Sequence, residues 1–333
     1  MTTGELQQQL FTEIKRKIGE SSSVADEVAK LLDISTDSAY RRIRCEKTIS
    51  LDELYLLCTH YRISLDQMMN VQTGSFAFQG NLLNPQTHRY DAYLSGMLNI
   101  MGYINSFKEK EFYYLGKDLP VFHYFHYKEL AAFKYFFWMG TLIHFPEFRN
   151  KKVSIDEFPD ELYELSKKSL NYYNQINSVE LWNIESLNST IRQIEYYIDN
   201  RMFRSNDDAL KVYEATEKVF YHLEGQALSG YKFDINDKEK KRMSKYSLFF
   251  NEIVILDNSM LVLLENTKMA MMPHTAINYM MTRDVSFCDN LYNYIQNLIR
   301  RSTQISEESE KERSRFFRHM YDRIDKRKKA LKV

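Results

Sequence analysis

Glycine, proline and cysteine are scarce in this sequence, and its charges leave no surplus of either sign. The 333 residues include 10 glycines and 5 prolines. Helix breakers are therefore rare, which favours long uninterrupted helices over many short strands. The 3 cysteines, Cys45, Cys58 and Cys288, are odd in number, far apart and never in a C-x-x-C pair. That argues against a disulfide framework and a cysteine-rich zinc site. Lys and Arg number 45, and so do Asp and Glu. No global field steers the chain toward a polyanion, so any such site must be local. No apolar run reaches the roughly 18 residues of a membrane span, so no membrane partner is expected. The opening stretch, MTTGELQQQLFTEIKRKIGE, has no apolar core of the kind a secretory leader carries. The expected compartment is the cytoplasm. H-E-x-x-H, G-x-S-x-G, the P-loop and G-x-G-x-x-G are all missing. Neither an enzyme nor a cofactor is expected.

What is present is a large apolar fraction, 44%, enough for sizeable cores in two or three domains. Residues 1–70 read as five short helices. Leu10, Phe11, Ile14 and Ile18 form one stripe at helical spacing. Ser23, with Asp26 three residues on, opens a second helix carrying Val28, Ala29 and Leu32. Ser50 and Glu53 make a capping box, and Ser64-Leu65-Asp66-Gln67 repeats the device. Residues 71–89 collect glycine, proline and asparagine and read as a linker. From 90 to 333, helical patterns run through about 90–107, 127–144, 160–174, 178–201, 206–226, 286–303 and 307–330. Near 246–277, three apolar runs separated by turn residues, 249–256, 260–264 and 269–272, predict a β-meander. The expected fold class is mainly α: a five-helix N-terminal domain plus a large helical domain containing a small antiparallel meander.

The third helix concentrates charge. Taken as helical over 35–45 with Ser35 as N-cap, the segment turns Ala39 and Ile43 inward. Asp37, Ser38, Arg41, Arg44 and Cys45 face outward, with Tyr40 and Arg42 on the flanks. An inward-small, outward-basic helix suits insertion into a DNA major groove. A solvated face with an Asp37–Arg41 pair is the plain alternative. Residues 1–71 hold nine Lys/Arg against eleven Asp/Glu, so charge alone does not decide.

The string Val28-Ala29-x-x-Leu32-Asp33-Ile34-Ser35, then Tyr40-Arg41-Arg42-Ile43-Arg44, the capped fourth helix and Ile63-Ser64-Leu65-Asp66 resemble the lambda-repressor-like (Xre-type) helix-turn-helix domain. The BetR-type variant is especially similar. The resemblance covers about residues 5–70, a fifth of the chain. It implies a bacterial DNA-binding regulator acting as a homodimer on double-stranded DNA. It implies phosphate contacts at Ser21 to Ser23, a groove-facing set of Thr36, Asp37, Ser38, Arg41 and Arg44, and a backbone contact at Lys47, and the flanking Tyr40 and Arg42 are expected to bind DNA as well. Asp33 departs from the family's turn glycine, and Cys45 from the glycine that often ends the helix.

Elsewhere, His123-x-x-His126 with Glu129 has metal-ligand spacing. Five surrounding aromatics favour packing histidines and no metal. The 24 tyrosines and 21 phenylalanines fill a core and are also compatible with a pocket for a small-molecule or peptide effector, whose residues the sequence does not select. Residues 300–333 carry twelve Lys/Arg against six Asp/Glu, as a solvated helix end would. The function expected is sequence-specific DNA-binding regulation. The alternatives are a peptide-sensing regulator similar to the Rgg type and a protein–protein adaptor that does not bind DNA.

Overall fold

The computed structural model of the chain describes residues 2–19, 23–69, 76–80, 89–253, 257–275 and 277–331. The chain divides into two compact units between Ala77 and Phe78. The linker expected at 71–89 lies largely outside the described residues.

The first unit has five helices: α1 (Thr3–Ile18), α2 (Val24–Leu32), α3 (Thr36–Ile43), α4 (Leu51–Tyr61) and α5 (Leu65–Met69). None of these lengths is stable alone in water, so a shared core must hold them. That core is built from Leu10, Phe11, Ile14, Val28, Ala29, Ala39, Leu57 and Met68. Serines cap the starts of α3 and α4 where expected. Ser35 accepts from the Ser38 amide at α3, and Ser50 with Glu53 forms a full capping box at α4. Asp33 ends α2 at φ 53° and Cys45 follows α3 at φ 60°. Both occupy the left-handed region that glycine adopts most cheaply. Aspartate is enriched there among other residues. Cys45 is not, and its thiol donates to the Gly4 carbonyl at 3.5 Å.

The second unit overturns the expectation of a mainly helical domain. After α6 (Tyr90–Asn105), β1 (Lys110–Gly116), α7 (Lys128–Phe137), α8 (Asp160–Asn174), β2 (Asn177–Trp182), α9 (Ile184–Asp199) and α10 (Asn206–Ser229) come β3 (Tyr231–Lys232), β4 (Ser244–Phe250), β5 (Ser259–Leu264), β6 (Thr267–Pro273) and β7 (Tyr279–Thr282). Then follow α11 (Val285–Arg300), β8 (Thr303–Gln304) and α12 (Glu310–Leu331). The eight strands form one mixed sheet, ordered β3-β4-β2-β1-β5-β6-β7 with β8 on β4. β2 runs parallel to both β1 and β4. β5 closes on β1 antiparallel, with Tyr113 opposite Leu261. The run at 178–201 expected as one helix is thus a strand, β2, followed by a separate helix, α9. The expected meander keeps its β5–β6 hairpin. Its third strand is β7. Of the run expected at 249–256, Phe249 and Phe250 end β4, which β2 and β1 separate from β5, and residues 254–256 lie outside the described residues.

Both faces of the sheet are covered, and side-chain alternation sorts the residues between them. Phe112, Tyr114, Trp182, Tyr246, Val262 and Met271 point into the large core under α6–α10 and α12. Tyr113, Leu115, Val179, Leu181, Leu261 and Ala270 pack on Cys288, Leu291 and Ile295 of α11.

A polar network lies inside the large core. Glu180 of β2 is fully buried. His123 Nε2 stands 3.2 Å from both of its oxygens, and the Tyr173 hydroxyl donates to Oε1. Lys232 donates to the carbonyls of Tyr173 and Ile176 at 2.9 and 3.0 Å. Burial pushes its amine down to about 7, against the pull of Glu180. His126 packs edge-on against His222, with ring centroids 4.7 Å apart. Among the described residues, no group of three His, Cys, Asp or Glu could hold a metal ion.

The histidines make the second unit sensitive to acid. Burial, with His222 and His123 nearby, drives His126 well below its ordinary value. Burial takes His222 from 6.5 down to about 3, helped by His123 and Lys240. Between those two values the unfolded chain binds more protons than the folded one, so stability falls as pH falls through that window. The expected result is a lower urea midpoint at pH 5 than at pH 7. Both tryptophans, Trp138 and Trp182, lie in this unit, so their fluorescence reports it alone. His126→Phe should flatten the dependence, and an unchanged slope would refute the assignment.

Candidate nucleic-acid interface

α3 is short, and what brings its outer face to solvent is how firmly its inner face is held. Ala39 is wholly buried and lets α3 lie close to α2. Beside it, Arg42 is buried as well, which corrects the flanking, DNA-binding position expected from the sequence. Its Nε and Nη2 donate to Glu53 at 3.1 and 2.6 Å, and its Nη1 donates to the Ser38 hydroxyl at 2.7 Å. The fork geometry matches a carboxylate bidentately. The Arg42 guanidinium and the Ser38 hydroxyl are therefore engaged within the unit. Glu53 does two jobs, since Oε2 also accepts the Ser50 amide at 3.0 Å. Arg42 holds the Glu53 carboxyl below its ordinary value.

The exit of α3 is pinned from α1. Gln7, buried, donates to the carbonyls of Arg42 and Lys47 at 2.7 and 2.8 Å, and its own carbonyl accepts the Ile49 amide at 3.1 Å. Three hydrogen bonds from one buried amide, both donors among them, fix the loop that carries Arg44 and Lys47. Sequence reasoning missed both positioning residues. Gln7 falls on the α1 stripe, three and four residues before Leu10 and Phe11, which was the available signal.

With the inner face fixed, the outer face is clear. Thr36, Asp37, Tyr40, Arg41, Arg44 and Lys47 are all exposed. The helix ends at Ile43, so Arg44 sits on its cap. The Arg44 guanidinium lies 5.7 Å from the Tyr40 ring centre and only loosely, at 4.0 Å, from Glu46. The Arg41 side chain has no ion pair among the described residues, and the alternative Asp37–Arg41 pair does not form there. Thr36 reaches Asp26 at 3.4 Å. Ser23 is exposed at the N-cap of α2 without a side-chain cap bond. Ser22, and Ser21 before it, lie outside the described residues.

Comparison of the chain with family models, curated proteins and solved structures yields no match. The assignment of this face therefore rests on its geometry. Two guanidinium groups, a tyrosine and a lysine project from one helix and its exit loop, over a unit whose total charge is slightly acidic. Such a face can grip phosphates or guanine edges locally without long-range steering. Among the described residues, no helix is long and apolar enough to cross a membrane.

Proposed function

We propose that the first unit is a helix-turn-helix DNA reader of the lambda-repressor-like type, with α3 in the major groove, and that the chain is a cytoplasmic, non-enzymatic transcriptional regulator. The observation that carries this is the division of labour among three neighbouring arginines. Arg42 is buried on Glu53 while Arg41 and Arg44 stay exposed. A merely solvated helix has no need for so firmly held an inner face. One such helix reads too few base pairs, so a homodimer is proposed, with its two copies of α3 about 34 Å apart on successive turns of DNA. The second unit, a mixed α/β body, is the proposed site of dimerisation and effector control.

Genomic footprinting followed by gel shift tests this. Arg41→Ala and Arg44→Ala are each expected to cost about 1–3 kcal/mol at the cognate site. Both variants should keep the wild-type thermal unfolding curve. Binding should weaken steeply with salt. Two variants that bind like wild type would remove α3 from the groove. A complete lack of salt-dependent DNA binding would support the protein–protein adaptor instead.

A further inference from the structure

The second unit contains a cavity of about 260 Å³ between α6, the turn at Pro120–Phe122 and strands β1, β5, β6 and β7. Five of its lining residues are methionines: Met97, Met101, Met260, Met271 and Met281. Methionine is flexible and polarisable, so such walls adapt to the shape of an apolar guest. Phe112 and Phe122 add flat apolar surface. Among the described residues, none that lines it is charged. A carboxylate or ammonium entering here would lose its hydration with no opposite charge among the described lining residues to compensate it. A peptide is disfavoured as well, because the volume falls below the usual range of about 300–1,000 Å³ for ligand pockets.

Two features give the cavity direction. Tyr93 of α6 and Tyr279 of β7 both line it. Both side chains are partly buried, and neither hydroxyl has a hydrogen-bond partner among the described residues. The third lining tyrosine, Tyr114, is already engaged, donating to the Asp118 carbonyl at 2.8 Å and to Asn258 at 3.0 Å. Two partly buried hydroxyls on one cavity, with no partner among the described residues, are donors available to an acceptor on a bound molecule. On the α6 wall, Gly96 and Ala92 present almost no side chain. A Cβ built on Gly96 meets nothing within 4 Å. Both residues are exposed, so they stand where the cavity opens to solvent, and a larger side chain at either would obstruct its mouth.

We propose that this cavity binds a small, uncharged, mainly apolar molecule bearing one hydrogen-bond acceptor, held by the hydroxyls of Tyr93 and Tyr279. The inference stands whether or not the first unit binds DNA, because its test reads binding directly.

The test titrates the full chain with N-phenyl-1-naphthylamine, a neutral apolar fluorophore, and displaces it with 1-octanol, octane or octanoate at pH 8. Saturable binding of one probe per chain is expected. 1-Octanol should displace the probe at about tenfold lower concentration than octanoate, the weight of an uncompensated charge. Tyr93→Phe with Tyr279→Phe should leave probe binding unchanged. It should cost 1-octanol about fivefold and octane nothing, as the loss of a neutral hydrogen bond requires. Gly96→Leu should reduce probe affinity about tenfold or more by obstructing the mouth of the cavity. If Gly96→Leu lowers the melting temperature, Ala92→Leu on the same wall serves as the blocking variant. The proposal is overturned by absence of saturable probe binding, by a correctly folded blocking variant that binds like wild type, or by octanoate competing as well as 1-octanol.

Discussion

Replacing Arg42 by alanine is expected to destabilise the first unit by about 3 kcal/mol, the low end of the cost of breaking a buried ion pair, because the Glu53 left behind is only partly buried. The Arg42 side chain is 5% exposed and that of Glu53 19%, so water can take over only part of the lost bonds. The truncation also leaves Glu53, partly buried in the first turn of α4, without its partner charge and removes the brace on Ser38. Hydrogen exchange across α1 to α4 measures the change, and exchange within about 1 kcal/mol of wild type would contradict it. Joining Arg42→Met to Glu53→Met should recover most of the loss, because an apolar pair of similar volume removes the stranded charge. Recovery should stop short by about 1 kcal/mol, since the double variant also loses the cap on the Ser50 amide. DNA binding would fall in Arg42→Ala as well, but through unfolding. Arg41→Ala and Arg44→Ala should weaken binding with stability intact, and that contrast separates positioning from contact. The pair also sets an acid limit. The Glu53 carboxyl is held below its ordinary value, so its contribution is present above that value and is lost as pH falls through the lowered one.

Glu180→Ala is expected to cost the second unit a similar amount, about 3–5 kcal/mol. Burial alone would push this carboxyl up, but His123, Lys232 and Tyr173 together hold it below the ordinary range. Removing it strands His123 Nε2 and the Tyr173 hydroxyl and takes away the charge opposite Lys232. It also opens a void beside Trp182. Glu180→Gln keeps the volume and an acceptor for Tyr173, so its loss should be clear but smaller. Tryptophan fluorescence during urea unfolding provides the readout. An alanine variant within about 1 kcal/mol of wild type would show that the network does not support the fold.

The five helices of the first unit were legible because each carries its own signal. The α1 stripe, the Ser35 cap and the Ser50–Glu53 box are local patterns of three to eight residues. Arg42 was misplaced for a reason that can be traced. At about 100° per residue it lies only about 60° from Ala39, on the inward side. What makes an inward arginine tolerable is Glu53, eleven positions on and already assigned as a cap. The sheet was harder to see. β1 reads Phe-Tyr-Tyr-Leu and is buried on both faces, so the polar-apolar alternation that marks a half-exposed strand never appears. β2 was absorbed into a helix because Leu181, Ile184 and Leu187 continue at helical spacing. Asn183, whose side chain caps α9 by accepting from the Glu185 and Ser186 amides, was the overlooked boundary. The candidate cavity was not legible at all, because its walls come from segments scattered between Gly80 and Met281.

The strand order also has a consequence in time. β1 lies between β2, which starts at Asn177, and β5, which starts at Ser259. A chain leaving the ribosome has exposed the whole of β1 long before either neighbour exists, and its second edge stays unpaired until Leu264 has emerged. The first unit closes its core as soon as Met68 is out, using contacts that are local by comparison. The two units therefore differ in contact order and in how long apolar surface stays uncovered during synthesis. Any product ending before Ser259 carries a finished first unit and a second unit with the apolar edge of β1 open to intermolecular pairing.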